Sequence, residues 1–236
     1  MRKVSKAQLV IFIPIAIITS TIAIMAKIKT TKKLYYYLTF WALWANTLYI
    51  FMITLCDCVL FFFNKSTLEK VNSFFRNTYS RFSFPFSYAV AFLYWSLLSL
   101  GPSFLYARPG VLSFIFHFYF HGGNTLILLL DLYMNEHENK PYNLTEIVII
   151  SVFFWLYGIV ACYAKYYDGI NPYAFMQKAE IRQLIVAAII FYIILLNAYQ
   201  VHLYLLRKKA DSKEKKSKDN TKMIEIEQKV TSPSVV

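Results

Sequence analysis

The sequence predicts an all-α polytopic membrane protein, a bundle of about six transmembrane helices with N- and C-termini in the cytoplasm. Three observations carry that expectation. The 236 residues are 58% hydrophobic and 19% aromatic, only 16% are charged, and mean hydropathy is +0.44, which is too apolar for an ordinary soluble domain. The apolar residues form continuous runs of about 20 or more, the length a helix needs to cross the hydrocarbon core, and they lack the two-residue alternation of a membrane barrel. The basic residues gather at the chain ends and between the runs, as topology signals do.

Taken in order, Arg2, Lys3 and Lys6 lead into a first span over residues 7–26. The run is too long for a signal-peptide core and no small-residue cleavage pattern follows it, so it is read as a span. A basic loop, 27–33, precedes span two, 34–63, which carries Asp57 near its far end. A polar stretch, 64–81, leads to span three, 82–105, with Pro85 in the first turn, where a missing N–H is tolerated. The Arg108-Pro109-Gly110 turn opens span four, 111–134, and a polar loop, 135–143, opens span five, 144–164. After a loop that turns between Gly169 and Pro172, span six covers 184–206. Residues 1–206 thus form the membrane domain. The Lys-, Ser- and Asp-rich remainder, 207–236, is expected to be a disordered basic cytoplasmic tail.

The net charge of +12 follows these boundaries and does not argue for nucleic-acid binding. With six spans, one side collects 17 of the 25 Lys and Arg, and that side is expected to be cytoplasmic. Both sequons, at Asn64 and Asn143, then face the cytoplasm and are expected to be unmodified. The membrane is expected to be the endoplasmic reticulum or the plasma membrane. Cys56, Cys58 and Cys162 lie in or near apolar runs without a metal-ligand set around them, and read as small buried residues.

Polar side chains inside spans are costly and mark candidate sites. They are Thr39 and Asp57 in span two, His117, His121, Asn124, Thr125 and Asp131 in span four, and Asn197, Gln200 and His202 in span six; His202, near the end of its span, reads as interfacial. At about 1.5 Å per residue, Thr39 lies roughly 8 Å into its span, His117 roughly 9 Å and His121 roughly 15 Å, all entered from the same side. A hydroxyl and an imidazole can therefore meet if spans two and four pack together, the minimum for a hydroxyl nucleophile with a base; depth alone does not choose between the two histidines. Asp131 and Asp57 lie too far along their helices to orient His121 as a triad acid would, and are expected to pair with basic groups at the inner face. His117 and His121 share a helical face at a metal-binding spacing, but no Cys or Glu joins them, and no metal or cofactor is expected.

The segment Tyr37-Leu38-Thr39-Phe40, Asp57, Phe84-Pro85 with Trp95, His121 through Asp131, His137, and Gly169 with Tyr173 and Phe175 together resemble the androgen-induced-protein family of multipass membrane proteins, which hydrolyse fatty acid esters of hydroxy fatty acids (FAHFAs). The resemblance covers roughly residues 35–206. It implies an intramembrane ester hydrolase with Thr39 as nucleophile and His121 as general base and acid. Asn124, one turn from His121, is a candidate oxyanion donor, and His117 a supporting residue. The sequence departs from the family at Asp131 (commonly Glu), Leu126 (Pro), Asn171-Pro172 (Trp with a later Pro) and Lys165-Tyr166 (a His pair), which bears on substrate preference. The expected partners are a FAHFA-like lipid substrate and membrane lipids. Ser234-Val235-Val236 resembles a C-terminal PDZ ligand, which would suit the alternative, a non-catalytic membrane regulatory protein with a basic tail that holds anionic headgroups. A transporter fits less well, because the spans carry few charges and no paired, interrupted segments.

Overall fold

The computed structural model describes residues 6–29, 36–63, 66–101, 117–135, 137, 143–173 and 176–231. They are helical apart from short connections, and no strand occurs among them. The elements are α1 (Lys6–Lys29), α2 (Leu38–Phe62), α3 (Ser66–Phe74), a π turn (Phe75–Tyr79), α4 (Ser80–Leu100), a second π turn (Tyr119–Gly123), α5 (Asn124–Met134), α6 (Leu144–Tyr166) and α7 (Ile181–Thr231). Five helical stretches are long and apolar enough to cross a membrane. A sixth, over 117–134, runs between the same two ends of the bundle.

The links at each end establish an up-and-down order. Gln8 of α1 donates to the Asn135 side chain just after α5 (2.7 Å), Arg76 before α4 reaches Asp57 near the end of α2 (2.6 Å), and Tyr199 of α7 donates to Glu146 in the first turn of α6 (2.6 Å). These residues define the Arg76 end. The opposite, Thr39 end holds the start of α2, the outer half of α4 with Tyr94, the histidines of 117–123, and the loop between α6 and α7.

α2 shows why these segments fold as they do. Its 25 residues span about 37 Å at the helical rise, more than the roughly 30 Å hydrocarbon core. Leu43, Asn46, Ile50, Ile53 and Asp57 recur at three- and four-residue spacing and are buried. Trp44, Leu48, Phe51 and Leu55 form an equally regular stripe that is exposed. α6 repeats the pattern with exposed Val148, Val152, Trp155 and Ile159. An apolar stripe on the outside of a bundle is the arrangement expected where lipid is the solvent. The interior has two apolar centres: Phe12, Tyr49, Ile50, Ile53, Phe84 and Leu128 join α1, α2, α4 and α5, and Leu38, Phe86, Ile150, Phe154, Leu195 and Tyr199 join α2, α4, α6 and α7.

Two expectations are corrected. Residues 64–81 are not simply a polar loop: α3 and the π turn carry the helix unbroken into α4. Asn72, Arg76 and Ser80, which looked like a loop, share one buried helical face with Ser83 and Ser87, and all but Ser80 meet partners on α2 or α5. Pro85 consequently lies in a helix interior, where the Arg81 carbonyl receives no N–H from it. α7 continues past Leu206 to Thr231; its polar extension is rich in helix formers and carries an exposed Glu214–Lys218 pair at i,i+4 spacing (2.6 Å). The first part of span four and the Arg108-Pro109-Gly110 turn, Asn64 of the first sequon, and the Ser234–Val236 ending fall outside the described residues. Asn143 caps α6, its side chain accepting from the Thr145 N–H at 2.9 Å.

Candidate active site

Thr39 is the second residue of α2 and is partly buried. Tyr37, in extended conformation, precedes the helix and offers no side-chain cap, so the first N–H groups need other partners. The Leu38 N–H finds the Tyr173 hydroxyl at 3.1 Å. The same hydroxyl meets the Thr39 side chain and lies 3.4 Å from the Tyr157 hydroxyl, which donates to the Tyr36 carbonyl at 3.1 Å. The Tyr36 hydroxyl in turn bonds Asp168. The chain reaches this place because α6 stops around Gly169: its φ of 64° is left-handed, and the Ile170 N–H reaches back to the Ala164 carbonyl at 2.8 Å. Lys165 then holds the loop, donating to the Met176 and Ala179 carbonyls at 2.6 Å each.

His121 sits in the π turn, a local widening common at functional positions. The Asn124 N–H donates to the Tyr119 carbonyl five residues back. Gly122 admits Trp95: a Cβ there would lie 3.3 Å from the indole Nε1. The His121 ring stacks on Tyr94 of α4 with centroids 3.7 Å apart and planes within 3°. His117, one turn away, stacks more loosely on the same tyrosine, at 5.6 Å. The Nδ1 atoms of both histidines are buried with no hydrogen-bond partner among the described residues. The stripe continues inward with Asn124 and Thr125, both buried, whose Nδ2 and Oγ1 likewise have no partner there.

Thr39 and His121 thus sit in the same end of the bundle but in different contact sets, one around Tyr173 and the other around Tyr94. No hydrogen bond joins them among the described residues. His117 and Asn124 share the His121 face. Asn197 bonds its own helix, to the Ile193 carbonyl at 2.9 Å, and is exposed, as is Gln200. His202 is buried inside the bundle: it is 2% exposed, packs on Phe84 with centroids 4.6 Å apart, and neither ring nitrogen has a partner among the described residues.

At the Arg76 end the two span aspartates pair with a basic group, as expected, within a polar cluster whose other members the sequence did not reveal. Arg76 pairs with Asp57 at 2.6 Å and with Asp131, and its Nε donates to Asn72 at 2.9 Å. Asn72 also donates to Asp57 (2.6 Å), and Tyr49 and Asn135 donate to Asp131. His137 lies against the Arg76 carbonyl with Nδ1 (2.8 Å) and against Asp131 with Nε2 (3.1 Å). Both aspartates are therefore occupied far from Thr39 and His121. The only sequence signal was the pair of carboxylates inside spans. Their cation comes from a stretch that reads as a loop.

The family model described as FAR-17a/AIG1-like protein matches residues 4–207. No curated protein and no solved structure matches the chain.

Proposed function

Because the chain belongs to the FAR-17a/AIG1-like family, the androgen-induced-protein family, we propose that it is an intramembrane hydrolase of lipid esters, with FAHFAs as the substrate class. The observation that carries the reading is His121: an imidazole within a span, clamped flat on Tyr94 in a π turn, with a buried nitrogen that has no partner among the described residues. Buried polar atoms left without partners are rare and call for an explanation, and a proton-transfer role supplies one.

In this reading the ester lies with its chains in the lipid and its carbonyl between the start of α2 and the π turn. Thr39 Oγ attacks the carbonyl carbon, and His121 takes the hydroxyl proton and returns it to the leaving alcohol. The acyl-threonine is released by water activated by the same imidazole. No hydrogen bond joins Thr39 and His121 among the described residues, and in this reading the ester bridges them, as catalytic contacts often tighten only in the complex. The chemistry calls for no metal or cofactor. The excess of basic residues at the Arg76 end supports a cytoplasmic position for that end and both termini.

The test is hydrolysis of a FAHFA by membranes that contain wild type, Thr39→Ala, His121→Ala or His117→Ala at matched amounts. The reading predicts loss of activity in the first two variants and retention in the third. The alternative, a non-catalytic regulatory protein, is favoured by one observation, the basic helix that α7 extends to Thr231; it predicts no hydrolysis above empty membranes.

A further inference from the structure

A base that takes a proton needs its ring held in one orientation and its new positive charge stabilised, and in a triad one carboxylate does both. Among the described residues no hydrogen bond reaches His121 Nδ1, and the carboxylates of the two spans, Asp57 and Asp131, are engaged with Arg76 at the other end of the bundle. What meets the ring is Tyr94.

The form of that contact is informative. The Tyr94 and His121 ring centroids are 3.7 Å apart and the planes lie within 3°. Carbon atoms in contact are about 3.5–4.0 Å apart, so the rings lie face to face with almost no lateral offset. Two neutral aromatic rings avoid this arrangement, because their electron-rich faces repel, and prefer an offset or edge-on pair with centroids about 4.5–7 Å apart. A cation over the face is attracted by the same electrons. His117 meets the same tyrosine at 5.6 Å and 14°, the offset expected of neutral rings. Tyr94 therefore distinguishes the two histidines, which depth along the span does not.

Tyr94 is itself held in place. It is 6% exposed and lies within α4. Its ring meets Trp95 edge-on, with centroids 5.3 Å apart and planes at 89°. The Trp95 indole in turn fills the space beside Gly122, one residue after His121. Two adjacent residues of α4 thus interlock with the π turn.

We propose that Tyr94 is the positioning residue of His121, doing with its ring face what a triad carboxylate does with an oxygen; the assignment rests on the hydrolase reading above. The face fixes the plane of the imidazole before attack. As the bond from Thr39 Oγ to the carbonyl carbon forms, the carbonyl π pair moves onto its oxygen and the threonine proton passes to His121. The imidazolium so formed lies on the electron-rich face of Tyr94, which stabilises it until the leaving alcohol takes the proton away. Tyr94 forms no bond and keeps its own proton throughout.

The experiment measures kcat, KM and thermal stability on one FAHFA for wild type, Thr39→Ala, Tyr94→Leu, Tyr94→Phe, and proteins in which residue 94 is phenylalanine carrying one, two or three ring fluorines. Fluorine withdraws electrons from the face and leaves the shape of the ring nearly unchanged. Tyr94→Leu is expected to lower kcat by about 10- to 30-fold with KM within about twofold, and the conservative Tyr94→Phe to restore most of the loss. Within the fluorinated series kcat is expected to fall stepwise at constant melting temperature, a readout that does not require Tyr94→Leu to fold. If kcat ignores fluorination, or Tyr94→Phe loses as much as Tyr94→Leu, while Thr39→Ala is inactive, the Tyr94 assignment is overturned and the hydrolase reading stands. A purely structural role would lower kcat only in step with the melting temperature, and that result also overturns it. Full activity in Thr39→Ala, or no hydrolysis by wild type above empty membranes, would overturn the hydrolase reading and the Tyr94 assignment with it.

Discussion

Arg76 and Asp57 form a 2.6 Å ion pair in which both side chains are almost sealed from solvent. The pair joins the helix that precedes α4 to the end of α2, and Asp131 brings α5 to the same guanidinium. Taking such charges out of water is costly, and attraction offsets the penalty only when the remaining donors and acceptors are satisfied. Here Asn72, Tyr49, Asn135 and His137 complete the set.

Removing one partner leaves buried charge without compensation. Arg76→Met is expected to destabilise the protein by about 3–5 kcal/mol, read as a large fall in the melting temperature in detergent and in the folded yield. Asp57→Asn, which keeps a hydrogen-bonding side chain, should cost less. Equal and negligible effects from both would contradict the central place of Arg76.

Asn46 ties α2 to α4, donating to Ser87 and accepting from Ser83 at 2.8 Å. Asn46→Leu removes this clamp and leaves two serine hydroxyls facing an apolar side chain. The expected loss is about 1–2 kcal/mol, measured by thermal unfolding in detergent.

His202 behaves in the opposite way. Its ring is buried against Phe84 and neither nitrogen has a partner among the described residues. Replacing an unsatisfied polar ring by an apolar one of similar shape is near neutral or favourable. His202→Phe is therefore expected to leave the melting temperature unchanged or to raise it, and ester hydrolysis should persist. A large loss of stability would show that the imidazole has a partner.

Lys209 donates to the Leu132, Tyr133 and Asn135 carbonyls at the end of α5, where a cation complements the helix dipole. Lys209→Met is expected to destabilise by about 0.5–1 kcal/mol. Truncation after Lys215 keeps this contact and should leave folding and hydrolysis intact, whereas truncation after Leu206 removes it. The two truncations, compared by melting temperature and activity, check the point.

The membrane class was legible because long apolar runs report the solvent directly, and the exposed stripe of Trp44, Leu48, Phe51 and Leu55 is the same signal in three dimensions. The role of residues 64–81 was not legible. Arg76 and Arg81 look like loop charges, and only the return of α2, α5 and α6 supplies Asp57, Asp131 and Glu146 to bury them. Counting residues from span edges brought Thr39 and His121 to one end of the bundle. It could not foresee that each would have its own aromatic neighbour, because such contacts depend on how helices turn toward each other. Tyr173 was invisible as a neighbour of Thr39, since the loop that carries it meets Leu38 across 135 positions of chain. The π turn at His121 was equally hidden, although Gly122-Gly123 marks the place where the helix widens.

The account depends on Thr39 becoming covalently modified, and this can be observed directly. An activated lipid carbamate transfers its carbamoyl group to a nucleophilic hydroxyl and is released slowly, so the adduct survives digestion and peptide mass mapping. The account predicts modification of Thr39, abolished in His121→Ala, retained in His202→Phe and suppressed by excess FAHFA. Inhibition of ester hydrolysis with the carbamoyl group on any other residue, or with Thr39 unmodified, would contradict it.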